Sequence, residues 1–307
     1  MPHPVPNFLV AGAAKSGTTS LCHYLRQHPN VFVAREKESH HFLFSAGSPT
    51  FTGPGDDREF NPLVIPDRSR YLACFDDVTT ESAVGEASVY YLYRPDSMRR
   101  ALEFNPDMRF IVSLREPIAR AFSAFSHQRR DMWESIDDFA TAIAAEQERI
   151  AAGWSFGWHY RAVSDYVPLL AAVNEVVPPK QLHVLLYDDL VAHPDAAMQS
   201  IFSFLGVDDS FRCDTSLQLN MSGRPRFHRL NFLLARNNAA KDLVKRVVPY
   251  QWGVGIQQRV RNWNLRPEQL DLAEWRRIES AFRFDTSMIG RLSGRDVSGW
   301  LKDRAAS

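Results

Sequence analysis

Apolar residues along this 307-residue chain fall into short closed runs separated by longer amphipathic stretches. Residues 7–12, Asn-Phe-Leu-Val-Ala-Gly, form one such run ended by glycine, the pattern of a strand buried on both faces. A helix is predicted over 17–28, with Leu21, Leu25 and His28 on one face, and Pro29 stops it. Residues 31–34 and 83–86 read as further short strands. Arg109–Leu114 is a clearer strand, and Pro117 opens a helix that runs to about Arg130. The periodicity then predicts helices over 135–152, 164–176, 194–205 and 267–284, and a shorter one before Trp300. Between them, 182–187 reads as a buried strand. Residues 45–66 are rich in Gly, Pro, Asp and Ser, so they read as a long loop, and such loops often carry function. Strands alternate with helices through the first two thirds, which predicts an α/β fold with a parallel sheet and helices on both faces. With no repeat and no linker, a single domain is expected over 1–307.

Composition narrows the class. A chain that is 45% hydrophobic and 23% charged buries a sizeable core and is not disordered. Lys plus Arg equals Asp plus Glu at 36 each, so bulk charge names no partner. The distribution says more. Between Met221 and Arg266 there are ten Lys or Arg and one acid, Asp242. That stretch is either a solvated basic surface or a wall facing an anionic ligand. Cys22, Cys74 and Cys213 are too scattered for a disulfide framework or a zinc spacing, and no other metal-ligand cluster is evident, so no metal is expected. The apolar run that reaches Ala14 follows no basic residue and is cut by Lys15, a poor signal peptide. No run approaches the roughly 18 residues of a membrane span. A cytoplasmic protein without a transmembrane segment is expected. Nothing in the pattern specifies its oligomeric state.

Candidate chemistry begins in the loop after the first strand, Gly12-Ala-Ala-Lys-Ser-Gly-Thr-Thr19. Amide groups at a helix start point outward without partners and carry partial positive charge, so an anion such as phosphate is their natural ligand. Gly17 lets the backbone approach that ligand. Lys15 adds a full charge, and Ser16, Thr18 and Thr19 add hydroxyls. The pattern is not a Walker A loop, whose lysine directly follows its second glycine, since Lys15 here precedes Gly17. The plain alternative is a glycine turn into a capped helix. A second anchor is Arg115 at the end of the strand Arg109–Leu114, with Ser123 eight residues later on the next helix. An arginine at the carboxyl end of a parallel strand faces the crevice where such sheets bind ligands. Guanidinium and hydroxyl together suit a phosphate. A surface arginine and an ordinary helix serine are the alternative.

The Lys-Ser-Gly-Thr-Thr loop resembles the 5′-phosphosulfate loop of sulfotransferases that use PAPS (3′-phosphoadenosine 5′-phosphosulfate). The likeness is to the carbohydrate branch, the heparan-type enzymes and their bacterial relatives, and it continues through most of the chain. It implies the sulfotransferase variant of the P-loop kinase-like fold. It also implies PAPS as co-substrate and PAP as product. Lys15 would then stabilise charge on the leaving phosphate. The segment from Ile111 to Ser123 is similar to the family's 3′-phosphate segment, which gives that role to Arg115 and Ser123. Residues 220–226 are similar to a segment that closes over the nucleotide, with Gly223 and Arg224 as the candidates.

On the acceptor side, Lys37-Glu-Ser-His-His-Phe42 resembles the family's Lys-Glu-Pro-His-Phe-Phe stretch, departing at Ser39 and His41. By that match Glu38 is the general base, Glu36 is its nearest competitor, and His40 orients the acceptor or shares the base role. A solvated charged turn with a packed histidine is the alternative. Gly85-Glu-Ala-Ser88 also resembles a family segment, but Ala87 stands where a lysine often does, and Glu86 receives no role. The aromatic group from Trp154 to Arg161 reads as an acceptor lid, together with loop 45–66, or as core. The expected activity is sulfuryl transfer from PAPS to a hydroxyl or amine of a small-molecule or glycan acceptor, with no nucleic acid involved. A P-loop ATP-dependent kinase and a non-catalytic PAP- or glycan-binding module are the rival readings.

Overall fold

The computed structural model describes residues 4–36, 38–45, 47–216, 224–225, 265–266, 270–282 and 285–302. Five parallel strands form the central sheet: β1 (Phe8–Gly12), β2 (Val31–Val33), β3 (Ala83–Ala87), β4 (Arg109–Leu114) and β5 (Leu182–Leu186). Their order is β2-β3-β1-β4-β5. The chain moves outward from β1 to one side and then crosses to β4 on the other, so the order reverses beside β1. Ligands bind at such a reversal, outside the carboxyl ends of the strands.

Alternation along each strand explains the two apolar layers. Phe8, Val10, Ile111 and Leu185 face one side, where they pack with α1 (Thr18–Leu25). Ile201, Phe202 and Leu205 of a later helix, Pro194–Leu205, join the same layer. Leu9, Ala11, Phe110, Val112 and Val184 face the other side with Met98, Ala101, Leu170 and Val173. Helices α2 (Asp56–Glu59), α3 (Arg68–Ala73) and α4 (Asp96–Phe104) come between α1 and α5 (Pro117–Arg130), and a third cluster gathers around α5, where Ile118, Phe122 and Phe125 meet Phe139, Trp158 and Tyr160. The start of α5 follows from sequence: Pro117 occupies the first turn, and Glu116 caps it by accepting from the amides of Ile118 and Ala119.

The structure departs from the predicted elements in several places, among them the unforeseen helices Arg68–Ala73 and Tyr187–Ala192. The single helix over 135–152 is two, Phe139–Ala144 and Glu146–Ala151. Asp138 caps the first through Thr141 N–H, and Ala145 ends the first helix and begins the second. Loop 45–66 contains a short helix, Asp56–Glu59, and a 3-10 turn, Asn61–Leu63. The helix Asp96–Phe104 was not foreseen, because its surface is polar and only Ser97, Met98 and Ala101 are buried. Among the described residues, no helix is long and apolar enough to cross a membrane.

Candidate active site

The loop leaving β1 is held from behind. Arg120 donates to the Ala14 carbonyl at 3.4 Å, Arg115 to the Lys15 carbonyl at 3.3 Å, and Ser113 Oγ to the Ser16 carbonyl at 2.7 Å. Three successive carbonyls are therefore engaged away from the ligand side. Gly17 takes φ 80° as the cap of α1 and supplies no side-chain bond, so the amides of the first helical turn remain available. A Cβ on Gly17 would lie 2.9 Å from Tyr187 Cδ2, so both conformation and space require glycine there.

A cavity of about 610 Å³ opens in front of this loop. Its walls include Lys15, Gly17, Thr18 and Thr19, and also Arg115, Ser123, Glu38 and His40. The loop after β1, the start of α1, the residue after β4, α5 and the turn after β2 thus converge on one space. Ser16 stands apart: its side chain is wholly buried behind the loop and does not line the cavity. Glu36, the rival for the base, is exposed and outside the walls. Gly223 lies outside the described residues. The backbone of Arg224 pairs antiparallel with Arg266 and passes beside α5, the helix that carries Ser123.

Of the four non-glycine residues with positive φ among those described, three are Lys15 (69°), Glu38 (61°) and His40 (49°). That conformation costs about 1–2 kcal/mol for an ordinary side chain, and such strain gathers at functional sites. Glu38 Oε2 accepts from the Val89 amide at 3.0 Å. The His40 ring is buried, stacked on Phe60 at 4.7 Å, with Nε2 3.7 Å from Glu38 Oε2. Burial lowers the His40 pKa to about 3, so the imidazole is neutral.

Beside the foreseen Ser123, helix α5 and its C-terminal end contribute Arg120, His127 and Asp131, which sequence reading passed over. Arg120, Ser123, His127 and Asp131 recur at helical spacing and all line the cavity. The recurrence of polar residues at that spacing was the available signal. Arg120 is buried, and its hydrogen bonds go to the carbonyls of Ala14 and Tyr160 and to Ser164 Oγ. Burial pulls its pKa down, yet an arginine keeps its charge at any working pH. It therefore adds positive potential behind the loop. His127 Nδ1 lies 3.0 Å from Asp131 Oδ2, and burial followed by the charges of Lys15 and Arg130 holds its pKa below the usual range. Arg115 also stacks over Tyr187 at 4.7 Å.

The far wall comes from loop 45–66 and the aromatic segment. Asp56 is buried and accepts from the amides of Gly53 (2.9 Å) and Ser155 (2.8 Å) and from Ser155 Oγ (2.6 Å), which ties the two segments together. Of the aromatic group foreseen at 154–161, only Phe156 lines the cavity, beside Phe60, Tyr90 and Trp133. Trp158 and Tyr160 are core.

A family model described as the sulfotransferase family matches residues 6–211. The chain belongs to the sulfotransferase family. The crystal structure of a sulfotransferase from Alicyclobacillus acidocaldarius is similar at 31% identity, covering 97% of this chain and 99% of that one with a TM-score of 0.76. The bifunctional heparan sulfate N-deacetylase/N-sulfotransferase 3 of Mus musculus is 27% identical over 230 residues, 69% of this chain and 24% of that protein. The membrane-associated sulfotransferase kil1 of Dictyostelium discoideum is 26% identical over 121 residues, 39% of this chain and 22% of that one. The chain spans about a quarter of the length of the curated relatives it matches. In this sulfotransferase-family chain, the β1 loop and the stripe on α5 both lie inside the matched region.

Proposed function

We propose that this chain is an enzyme that transfers a sulfuryl group from PAPS to a hydroxyl or amine of an acceptor. One observation carries the reading: a single cavity joins an anion cradle, made of loop amides with Lys15 and Arg115, to a carboxylate at Glu38. PAPS, when bound, supplies a sulfuryl group on a phosphate leaving group. The amides at Gly17, Thr18 and Thr19 and the Lys15 ammonium suit its 5′-phosphosulfate, and Ser16 shapes the loop from behind. Arg115 and Ser123 suit its 3′-phosphate, with Arg120 adding charge. Gly223 and Arg224 stay candidates for the nucleotide side on the family resemblance.

The chemistry is in-line displacement. Glu38 takes the acceptor's proton as the acceptor's bond to sulfur forms, and Lys15 meets the charge that develops on the departing phosphate oxygen. His40, neutral through burial, orients the acceptor, because protonating it in that place is costly. Positioning and electrostatics do most of the work. A carbohydrate, glycolipid or glycosylated small molecule is the acceptor we favour. Phe60, Tyr90, Trp133 and Phe156 offer faces on which a sugar ring stacks, and a relative's name includes heparan sulfate.

Calorimetric titration with PAP in the absence of magnesium, beside ATP with magnesium, tests the donor. Tight PAP binding that weakens in Arg115→Ala, with turnover lost in Lys15→Ala, supports the proposal. Binding of ATP and not PAP replaces it with a P-loop kinase. PAP binding without turnover of PAPS on glycosides, phenols or amines replaces it with a binding module.

A further inference from the structure

Glu86 takes no part in this chemistry, yet it lies wholly buried near the end of β3. A carboxyl group in such a place needs hydrogen-bond partners. Its Oε2 accepts from the Ser88 hydroxyl at 2.8 Å and its Oε1 from the Tyr91 hydroxyl at 3.0 Å. The Ser39 hydroxyl bonds to the same group. Both relay hydroxyls face the turn that follows β2. His40 N–H donates to Ser88 Oγ at 3.0 Å, and Phe42 N–H donates to the Tyr91 oxygen at 3.3 Å.

The direction of these bonds matters. Both hydroxyls donate inward to the carboxyl oxygens, which leaves their lone pairs to the amides of the turn. Glu86 thereby polarises the whole relay. The same turn holds Glu38 and His40 at positive φ, and such a conformation persists only where its surroundings over-determine it. Among the described contacts, the relay grips the turn at 39, 40 and 42, while the Ala87 carbonyl accepts from Glu38 N–H at 2.9 Å.

We propose that Glu86 is a positioning residue which, through Ser88 and Tyr91, locks the strained turn that aims Glu38 and His40 into the cavity. The catalytic part of this inference rests on the proposed function, whereas the conformational part does not.

Glu86→Gln is the test, because an amide cannot accept from both hydroxyls in the same way. Deuterium uptake by a peptide spanning residues 38–43 should speed up about tenfold or more, with uptake in β1 unchanged. Turnover of PAPS with the best acceptor found should fall about ten- to a hundredfold in kcat, the size of effect that slight misplacement produces. PAP affinity should hold, and so should the thermal midpoint at pH 5, where the Glu86 carboxyl is as uncharged as the amide. Ser88→Ala should reproduce both effects, and the double variant should add little to either single change. Unchanged exchange at 38–43 overturns the proposal. So does a loss of PAP affinity and thermal midpoint in step with kcat, which would mean general support of the fold. Exchange needs neither donor nor acceptor. Failure of the unaltered chain to bind PAP would therefore retire the proposed function and leave exchange to decide this proposal.

Discussion

The carboxylate of Glu38 and the imidazole of His40 meet at 3.7 Å across a turn in which both residues hold left-handed backbone. One partner sits at the cavity wall with 26% of its side chain open, and the other is almost fully enclosed. The pair is asymmetric in consequence: the open carboxylate is able to carry a proton away, and the enclosed ring is not.

Glu38→Gln keeps the side-chain shape and an oxygen for the Val89 amide. Turnover should drop by about 10²- to 10⁴-fold, the usual worth of a general base. PAP affinity measured by calorimetry should stay as it was. Equal losses in both would remove Glu38 from the base role.

Gly17→Ala should damage stability and donor binding together. The new methyl group would meet the Tyr187 ring at a residue whose φ is 80°. A loss of about 1–3 kcal/mol in denaturant unfolding is expected, with PAP affinity weakened at least about tenfold.

Arg115 and Ser123 should discriminate between nucleotides. Ser123→Ala and Arg115→Ala are expected to weaken PAP binding by about 10- to 100-fold and adenosine 5′-monophosphate binding far less. Because Arg115 also holds the Lys15 carbonyl, its replacement should show some loss for both ligands, whereas Ser123→Ala should not. Parallel losses in Ser123→Ala would place the second phosphate elsewhere.

The pH dependence of stability should carry a Glu86 component. Burial raises its pKa from 4.5 to about 7, against the pull of Ser88, Tyr91 and Ser39. The folded state then holds a proton that the unfolded state has released. This contribution is fully present below pH 4.5 and is lost as pH rises through about 7. Relative to Glu86→Gln, the unaltered chain should lose up to roughly 3 kcal/mol between pH 4.5 and 8 in denaturant titrations. A constant difference between the two proteins across that range would refute the buried ionisation.

How much of this was legible in the sequence depends on the kind of signal. The strand Arg109–Leu114 and the helices Pro117–Arg130 and Pro194–Leu205 have the predicted bounds, because proline opens both helices and Gly206 closes the second. The turn from β1 into α1 was legible because its glycine and lysine announce themselves locally. The tethers were not. Arg120 and Ser113 reach the loop from about a hundred positions away in the chain, and only the register of β1 against β4 brings them there. The relay from Glu86 to His40 is hidden for the same reason, since it joins the end of β3 to the turn after β2. The break at Ala145 in the helix foreseen over 135–152 leaves no mark in the periodicity.

The three loop carbonyls held from behind have a kinetic consequence. The tethers hold the loop in one shape through the register of β1 against β4, so the proposed donor cradle is formed before any nucleotide arrives. A donor nucleotide then selects a resident population and surrenders little of its affinity to loop ordering. Its arrival at the loop should be a one-step event whose rate scales linearly with nucleotide concentration and falls with added salt, as for an encounter guided by Lys15, Arg115 and Arg120.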